Sequence, residues 1–307
     1  MKIVKRKTMT TFKEAFEQMD KPKEEPKKQG LRVSRFECVK PDWKRVLNAA
    51  RRTVGKKPLD KEPSNKFKRQ ILLAEHSPIR LLEYDFTWED IKQWITVHIC
   101  RHSVGCEKFV HTMRPDRNEA LKLLNRDDLP QGLLNDMDMT CNAQSFINIS
   151  RKRLCSAASM ETRNAWKAVI SYLKEIDPVL ASKCVPECIY RGFCPEVDKS
   201  CGYCNTIDYK RQLVYYRQYK EETWKLLDFN KNYEISSWGR IKKNGKIINP
   251  SYDKDINEDC ILIDEYYHKL KNLVYVSFID TLCNKVVYHK DGNIFNNSID
   301  NLDVYEN

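Results

Sequence analysis

The sequence predicts a mixed α/β (α+β) protein, with long helices and a small sheet over residues 31–222 and a small α+β domain over residues 223–307. Three observations carry that expectation. Apolar and polar residues nearly alternate over residues 31–39 and again over 81–87, the period of half-buried strands. Ile91, Trp94, Ile95 and His98 fall at i, i+3, i+4 and i+7, the stripe of an amphipathic helix. After Asp228 the texture changes to short apolar runs separated by Asn, Gly and Asp turns.

In chain order, residues 1–30 read as a basic, flexible lead, with KPKEEPKKQG as its linker. Pro41 closes the first strand, and Asp42 is placed to cap a helix from about Trp43 to Val54. A second helix is expected over 66–75, ending near His76-Ser77-Pro78. The second strand leads into a helix over 88–102, and a further helix is expected over 118–125. A long helical stretch with room for one break covers 140–176 and stops at Asp177-Pro178. A cysteine-rich loop over 184–204 and a basic, Tyr-rich helix over 206–227 complete the first part, with the domain boundary near residue 223.

Composition narrows the function. Of 307 residues, 41% are hydrophobic and 32% charged, so the chain can build ordinary cores. No apolar run reaches the roughly 18 residues a membrane span requires, and the N-terminus lacks a signal-peptide h-region. No membrane role and a cytoplasmic setting, in a bacterial or phage-infected cell, are expected. Twelve cysteines then read as reduced thiols rather than disulfides. There is no GxGxxG. Gly239 and Gly245-Lys246 miss the P-loop spacing by one residue, and Ile247 follows. The formal charge of +11 is uneven: residues 1–220 carry 43 Lys and Arg against 28 Asp and Glu, residues 221–307 only 11 against 15. The basic first part suits an anionic partner, nucleic acid or a phosphorylated small molecule, or else a solvated Lys-rich surface.

His98, Arg101 and His102 would share one helix face, as i, i+3 and i+4. Such a face admits three readings: a contact for an oxyanion or phosphate, an ordinary interface, or a metal pair. The zincin pattern wants Glu after the first His, and Ile99 stands there. Asn142 and Arg153, eleven residues apart, would point the same way at about 16 Å on an unbroken helix. Arg126, Arg151 and Arg163 add cationic donors.

The segment AEHSPIRLLEYDFTWEDIKQWITVHICRHSVG resembles the core of the flavin-dependent thymidylate synthase family, which has a His-x-Ser/Thr-Pro turn, an apolar strand and a helix ending in Arg-His-Arg. The block NRDDLP, eleven further residues and NAQSFINISRKRLCSAASMETR resembles that family's Arg-x-x-Leu-Pro and Asn-Ala-Arg…Arg…Ala-Gln-Trp-Glu helix. The resemblance spans about residues 32–220. It implies FAD as cofactor, NADPH and methylenetetrahydrofolate as cosubstrates, reductive methylation of dUMP to dTMP, and a homotetramer with shared flavin sites. It places Ser77, Arg101, His102, Ser103, Val104, Asn142, Gln144 and Asn148 at flavin-contacting positions. His98, Arg101, Glu107, Arg114, Arg126 and Arg153 fall at nucleotide positions, with Arg153 holding and ionising the pyrimidine ring. The family's RHRxxSxNExSxRY is altered here. Ser103 replaces the second Arg, Glu107 stands in for the family Glu, Arg114 comes one position late, and Arg80 replaces a Glu of the His turn. A different pyrimidine nucleotide is therefore an alternative substrate.

Two further features stand apart. Cys188, Cys194 and the Cys201-Gly-Tyr-Cys204 pair could complete a thiolate zinc site, or lie as plain thiols in a packed segment, or do redox work. Residues 223–307 resemble a phage HNH homing-endonuclease module, with His289 at the general base and Asn297 and Asn301 shaping the loop. Tyr288 stands at a metal-ligand position and Lys271 where a His often opens the motif, so the module is expected to be degenerate. The alternative reading is a homing-endonuclease-related or nucleic-acid-binding protein whose synthase-like domain is not catalytic.

Overall fold

The computed structural model describes residues 30–40, 42–196 and 200–306; all of the expected lead but Gly30 lies outside them. The fold is mixed, helices with small antiparallel sheets. The chain forms two compact units. One comprises the described residues up to Pro58 together with Ser77–Ala181; the other, Leu59–His76 with the described residues from Ser182 onward.

The first unit is built on a four-stranded antiparallel sheet: β1 (Arg32–Lys40), β2 (Glu83–Lys92), β3 (Cys106–Val110) and β4 (Leu134–Asn142), in the order β1-β2-β4-β3. Tyr84, Phe86 and Trp88 alternate inward from β2, with Met137, Met139 and Cys141 from β4 on the same buried face. Asp42 caps α1 (Trp43–Thr53) through the Arg45 amide at 2.9 Å, as its position before the apolar periodicity predicts. Helix α4 (Ala143–Arg153) and helix α5 (Met160–Ile176) cover the sheet. Their Phe146 and Trp166, with ring centroids 5.5 Å apart, meet Phe86 and Trp88 in one aromatic cluster. Each buried polar tip in it finds a partner. Trp88 donates to the Ala165 carbonyl at 3.1 Å, Trp166 to Ser150 Oγ at 2.9 Å, and Trp43 and Tyr84 both donate to Asp177 Oδ2 at 2.8 Å. Burial and the Asp177 charge push the Tyr84 phenol far up.

Three expectations change here. Residues 88–92 continue the strand, and helix α3 runs only Gln93–Cys100. Trp88 pairs with Val33 and Met137, and a bulge follows in which Asp90 takes a left-handed φ of 56° and its amide donates to Asp136 Oδ1. The helical spacing of Ile91 and Trp94 was thus produced by a strand bulge abutting a helix. Residues 118–125 hold a single 3-10 turn, Glu119–Leu121, in place of a helix. The long stretch 140–176 begins as strand, turns helical at Ala143, and breaks over 154–159 before Ser159 caps α5.

The second unit contains α2 (Asn65–Leu73), α7 (Glu187–Arg191) and α8 (Ile207–Arg217); the short α6 (Pro178–Ala181) closes the first unit. Helix α9 (Leu270–Phe278) and three small antiparallel sheets complete it: β5 (Trp224–Leu226) to β8 (Lys246–Ile248), β9 (Ser251–Asp253) to β11 (Tyr266–Lys269), and the pair β12 (Lys285–His289) and β13 (Leu302–Glu306). Its core gathers Ile235, Ile241, Ile263, Leu270, Val274 and Val287. The boundary expected near residue 223 falls inside this unit. Arg211 of α8 makes a buried two-pronged bond to Asp259 of β10 (Glu258–Ile263), at 3.0 and 2.5 Å, which ties the sequence on either side of 223 together. The Tyr-rich helix ends at Arg217, ten residues before its expected end, and a strand begins at Trp224.

Candidate functional site

The end of α3 and the end of α4 meet in the first unit. Arg101 caps α3, and His102 follows with its amide bonded to the Ile99 carbonyl at 3.0 Å. The next residues are fixed to the start of α4. Asn142 caps α4 by accepting the Ser145 amide at 3.0 Å, while its own amide donates to the Gly105 carbonyl at 3.0 Å. The Ser145 hydroxyl lies 2.7 Å from the Val104 carbonyl and 2.8 Å from that of Gly105. Gly105 has φ +71°, and a Cβ there would sit 2.4 Å from Asn142 Nδ2 and 2.5 Å from Ser145 Oγ. Ser103 and Val104 are held outward by this close approach, Val104 at 81% exposure.

Arg153, the last residue of α4, reaches back to this corner. Its Nε donates to His102 Nε2 at 2.8 Å, and its Nη2 donates to the His98 carbonyl at 2.6 Å. A His102 that accepts at Nε2 is neutral with its proton on Nδ1. Burial, then the charges of Arg153, Lys108 and Lys152, hold its pKa down to about 4. Burial, then Arg153 and Arg101, lowers that of His98. Burial and Arg101 lower the Arg153 guanidinium from its ordinary value. Among the described residues no carboxylate pairs with Arg101 or Arg153, and Arg101 is exposed. A half-buried corner with two guanidinium groups, two lowered imidazoles and no counter-carboxylate is a place for an anion.

The other expected positions distribute as follows. Ser77, itself exposed, opens a 3-10 turn, Ser77–Leu81, and Leu82 at its end accepts the Ala143 amide at 3.0 Å, bringing this turn to the start of α4. Gln144 and Asn148 stand one turn apart on α4, half-buried, with Gln144 Nε2 3.4 Å from Asn148 Oδ1. Asn142 spends its side-chain oxygen on the helix cap. Glu107 is exposed on β3 opposite Thr140. Arg114 makes a two-pronged bond to Asp116, at 3.0 and 2.6 Å, and Arg126 is exposed in its own 3-10 turn; both lower the Asp116 carboxyl, Arg114 most. Neither makes a hydrogen bond or ion pair with Arg153 or His102 among the described residues.

Lys108, Cys106, Thr162 and Ser159 were not read from the sequence. Lys108 Nζ donates to the His102 carbonyl and lies 3.5 Å from Cys106 Sγ. Cys106 faces Cys141 across β3 and β4; the bond from Cys141 and the Lys108 charge outweigh burial and bring the Cys106 thiol down to about 6. The inward register of β3 was the available signal: Lys108 sits two residues from Cys106 on the half-buried side. Thr162 contacts His98, at 3.1 Å between Oγ1 and Nδ1.

In the second unit, Cys188 is buried with Val185, Ile189 and Tyr209, and Cys194 and Cys204 pack against that cluster. Cys201 is exposed. Burial raises the Cys204 thiol, with Cys188 and Cys194 both close enough to act on it. Among the described residues no group of three His, Cys, Asp or Glu side chains is placed to hold a metal ion, and Cys188 packs as a small hydrophobe. His289 ends β12, with Nε2 3.0 Å from Asn297 Oδ1. Asn297 is 3% exposed, and Asn301 donates to Asp291 Oδ1 and to the Asn296 carbonyl, each at 2.8 Å. Tyr288 is 40% exposed, and Lys271 is ion-paired to Glu258. No described helix is long and apolar enough to cross a membrane.

No family model matches the chain. A curated relative, the flavin-dependent thymidylate synthase of Clostridium tetani (strain Massachusetts / E88), is 24% identical over 237 residues, 57% of this chain and 95% of the relative. Similar solved structures include thymidylate synthase X from Helicobacter pylori with FAD and dUMP (14% identity, TM-score 0.41, 51% of this chain and 98% of that one). A UMP/dUMP methylase from Streptomyces cacaoi bound with 5-Br dUMP gives 12% identity and a TM-score of 0.39, over 53% of this chain and 94% of that one. The HNH homing endonuclease I-HmuI gives 25% identity and a TM-score of 0.25 over 27% of this chain; the chain spans about half of that protein's length, 52%. The chain thus resembles flavin-dependent thymidylate synthases, and a small part of it resembles an HNH endonuclease.

Proposed function

We propose that the first unit catalyses FAD-dependent reductive methylation of a pyrimidine deoxynucleotide, dUMP to dTMP, with methylenetetrahydrofolate as carbon donor and NADPH as reductant. The observation that carries this reading is the guanidinium pair Arg101 and Arg153, set against neutral imidazoles and lacking carboxylate partners among the described residues. The similarity to the Clostridium tetani synthase supports it.

Arg153 is the residue that acts on the pyrimidine. Its Nε and Nη2 are held by His102 and the His98 carbonyl, so the planar fork is fixed before a ligand arrives, and its Nη1 has no partner among the described residues. A fixed cation at the ring edge stabilises negative charge developing on the base, with no nucleophile required. His102 accepts without carrying charge, so the guanidinium's positive charge is not opposed by a protonated imidazole.

The residues also fit a flavin nucleotide. The close approach at Gly105 presents Ser103 and Val104 outward; Arg101 supplies a free cation for a diphosphate, and Ser77, Gln144 and Asn148 supply neutral donors and acceptors. When bound, FAD supplies the one-carbon and hydride transfer chemistry. In this reading Arg114, bonded to Asp116, and Arg126 take the nucleotide-phosphate role, and a homotetramer completes each site.

Tritium release from 5-tritiated dUMP in the presence of FAD, NADPH and methylenetetrahydrofolate tests the activity. Release that requires all three, and that falls at least a hundredfold in Arg153→Ala, is expected; none from the folded wild-type protein rules the activity out.

The HNH-like residues support a degenerate module. Tyr288 stands where a ligand is needed, and Lys271, where a His often opens the motif, is ion-paired to Glu258. His289 and Asn297 remain paired, which holds the loop without supplying a metal.

A further inference from the structure

Thr162 lies in the first turn of α5, fully buried, behind His98. Its Oγ1 is 3.1 Å from His98 Nδ1, and the Ser159 hydroxyl donates to the same oxygen at 2.8 Å. Ser159 also caps α5 by accepting the Thr162 amide at 3.4 Å. On the other side Trp94 packs edge-on against the His98 ring, at 5.3 Å between centroids, while Arg153 grips the His98 carbonyl.

These contacts determine where protons sit. With Ser159 donating to the Thr162 oxygen, the Thr162 hydroxyl proton is directed to His98 Nδ1. If Nδ1 carried the proton instead, Thr162 would accept from it and have to turn its own proton to Ser159 Oγ, which already accepts the Thr162 amide. The Ser159-to-Thr162 order of donation has His98 accept at Nδ1 and bear its proton on Nε2, and Nε2 has no partner among the described residues.

We propose that Ser159 and Thr162 form a hydroxyl relay that fixes His98 in the Nε2–H tautomer, making it a neutral donor beside Arg101 and Arg153 that reads an oxygen of the bound pyrimidine nucleotide. The relay stands on its own geometry; the identity of the occupant rests on the proposed function. Thr162 is a positioning residue, acting through His98. A neutral donor adds direction to a corner whose other groups are cations: it selects an acceptor atom at one place, whereas a second charge would strengthen binding of any anion.

The test is a long-range proton–nitrogen correlation spectrum of the full protein labelled with 15N-histidine, at pH 7.5. The chain has six histidines, and His98 is identified by the signal lost in His98→Gln. Wild type and Thr162→Ser are expected to show His98 neutral with Nε2–H alone, and added dUMP is expected to shift that resonance. Thr162→Val removes the hydroxyl at nearly constant volume. It should shift His98 toward the Nδ1–H form and raise the dissociation constant for dUMP about fivefold, one hydrogen bond's worth. A wild-type His98 already in the Nδ1–H form overturns the relay without any variant, as does a tautomer unchanged in Thr162→Val. A relay confirmed by Thr162→Val with an Nε2–H resonance unmoved by saturating dUMP overturns the assignment of the nucleotide to His98. Failure of dUMP to bind at all, with the tautomer as described, counts against the proposed function and leaves the relay intact.

Discussion

Arg153 donates its Nε to His102 Nε2 across 2.8 Å, joining the last residue of α4 to the residue that follows α3. The bond organises the corner. It fixes the guanidinium plane, it requires a neutral imidazole, and with the second bond to the His98 carbonyl it leaves one guanidinium nitrogen for a ligand.

Arg153→Lys should retain charge but lose the fork. Calorimetric titration with dUMP is expected to show binding weakened roughly tenfold in Arg153→Lys and lost in Arg153→Ala, the difference reflecting a cation kept without its fixed orientation against a cation removed. Equal affinities for wild type and Arg153→Lys would mean that orientation of the guanidinium is irrelevant.

His102 should titrate far from an ordinary histidine. Its folded-state pKa of about 4 lies below the unfolded value of about 6.5. The unfolded chain therefore takes up the proton first, so the contribution of His102 to stability is complete above pH 6.5 and lost as pH falls toward 4. NMR titration should find no inflection for His102 above pH 5. In Arg153→Ala the midpoint should move up, because one of the charges holding it down is gone. A midpoint near 6.5 in the wild type would show that the imidazole is not held by Arg153.

Gly105→Ala combines a left-handed φ with a Cβ 2.4 Å from Asn142 Nδ2. Urea unfolding should show a loss of about 2–4 kcal/mol, and retention of added FAD should fall as the Ser103–Val104 turn is displaced. Wild-type stability together with full FAD retention would contradict the role given to this close approach.

Lys183, 2% exposed, donates to the Tyr216 and Gln218 carbonyls, and burial above all brings its pKa down to about 7. Here the unfolded chain holds the proton more tightly, so stability rises as pH increases from 7 toward 10.5. Relative to Lys183→Met, the wild type should gain on the order of 4 kcal/mol across that window, measured by chemical unfolding at pH 7 and 10. A difference independent of pH would place the ammonium in water.

Much of this was legible in the sequence. Strand β1, α1 with its Asp42 cap and α2 follow from alternation, periodicity and capping. The bulge at Asp90 was not, because Ile91 and Trp94 mimic helical spacing when a strand turns directly into a helix. Residues 118–125 lack the tertiary apolar face that would make their weak helical pattern persist: Leu121 is buried but Leu123 is 87% exposed. At the site, His98, Arg101, His102 and Arg153 stood out as charged or titratable groups at helical spacing. Thr162 did not, since a Thr three residues after a Ser reads as ordinary helix capping, and its contact with His98 spans 64 residues of sequence.

The proposed function makes the first unit a flavoenzyme acting on a pyrimidine deoxynucleotide. The visible absorption spectrum of the purified protein with FAD, followed under anaerobic addition of NADPH with and without dUMP, tests it most directly. A bound flavin band that bleaches faster with dUMP, and loses that dUMP dependence in Arg153→Ala, is the predicted result. A folded protein that remains colourless and takes up no added FAD would contradict it.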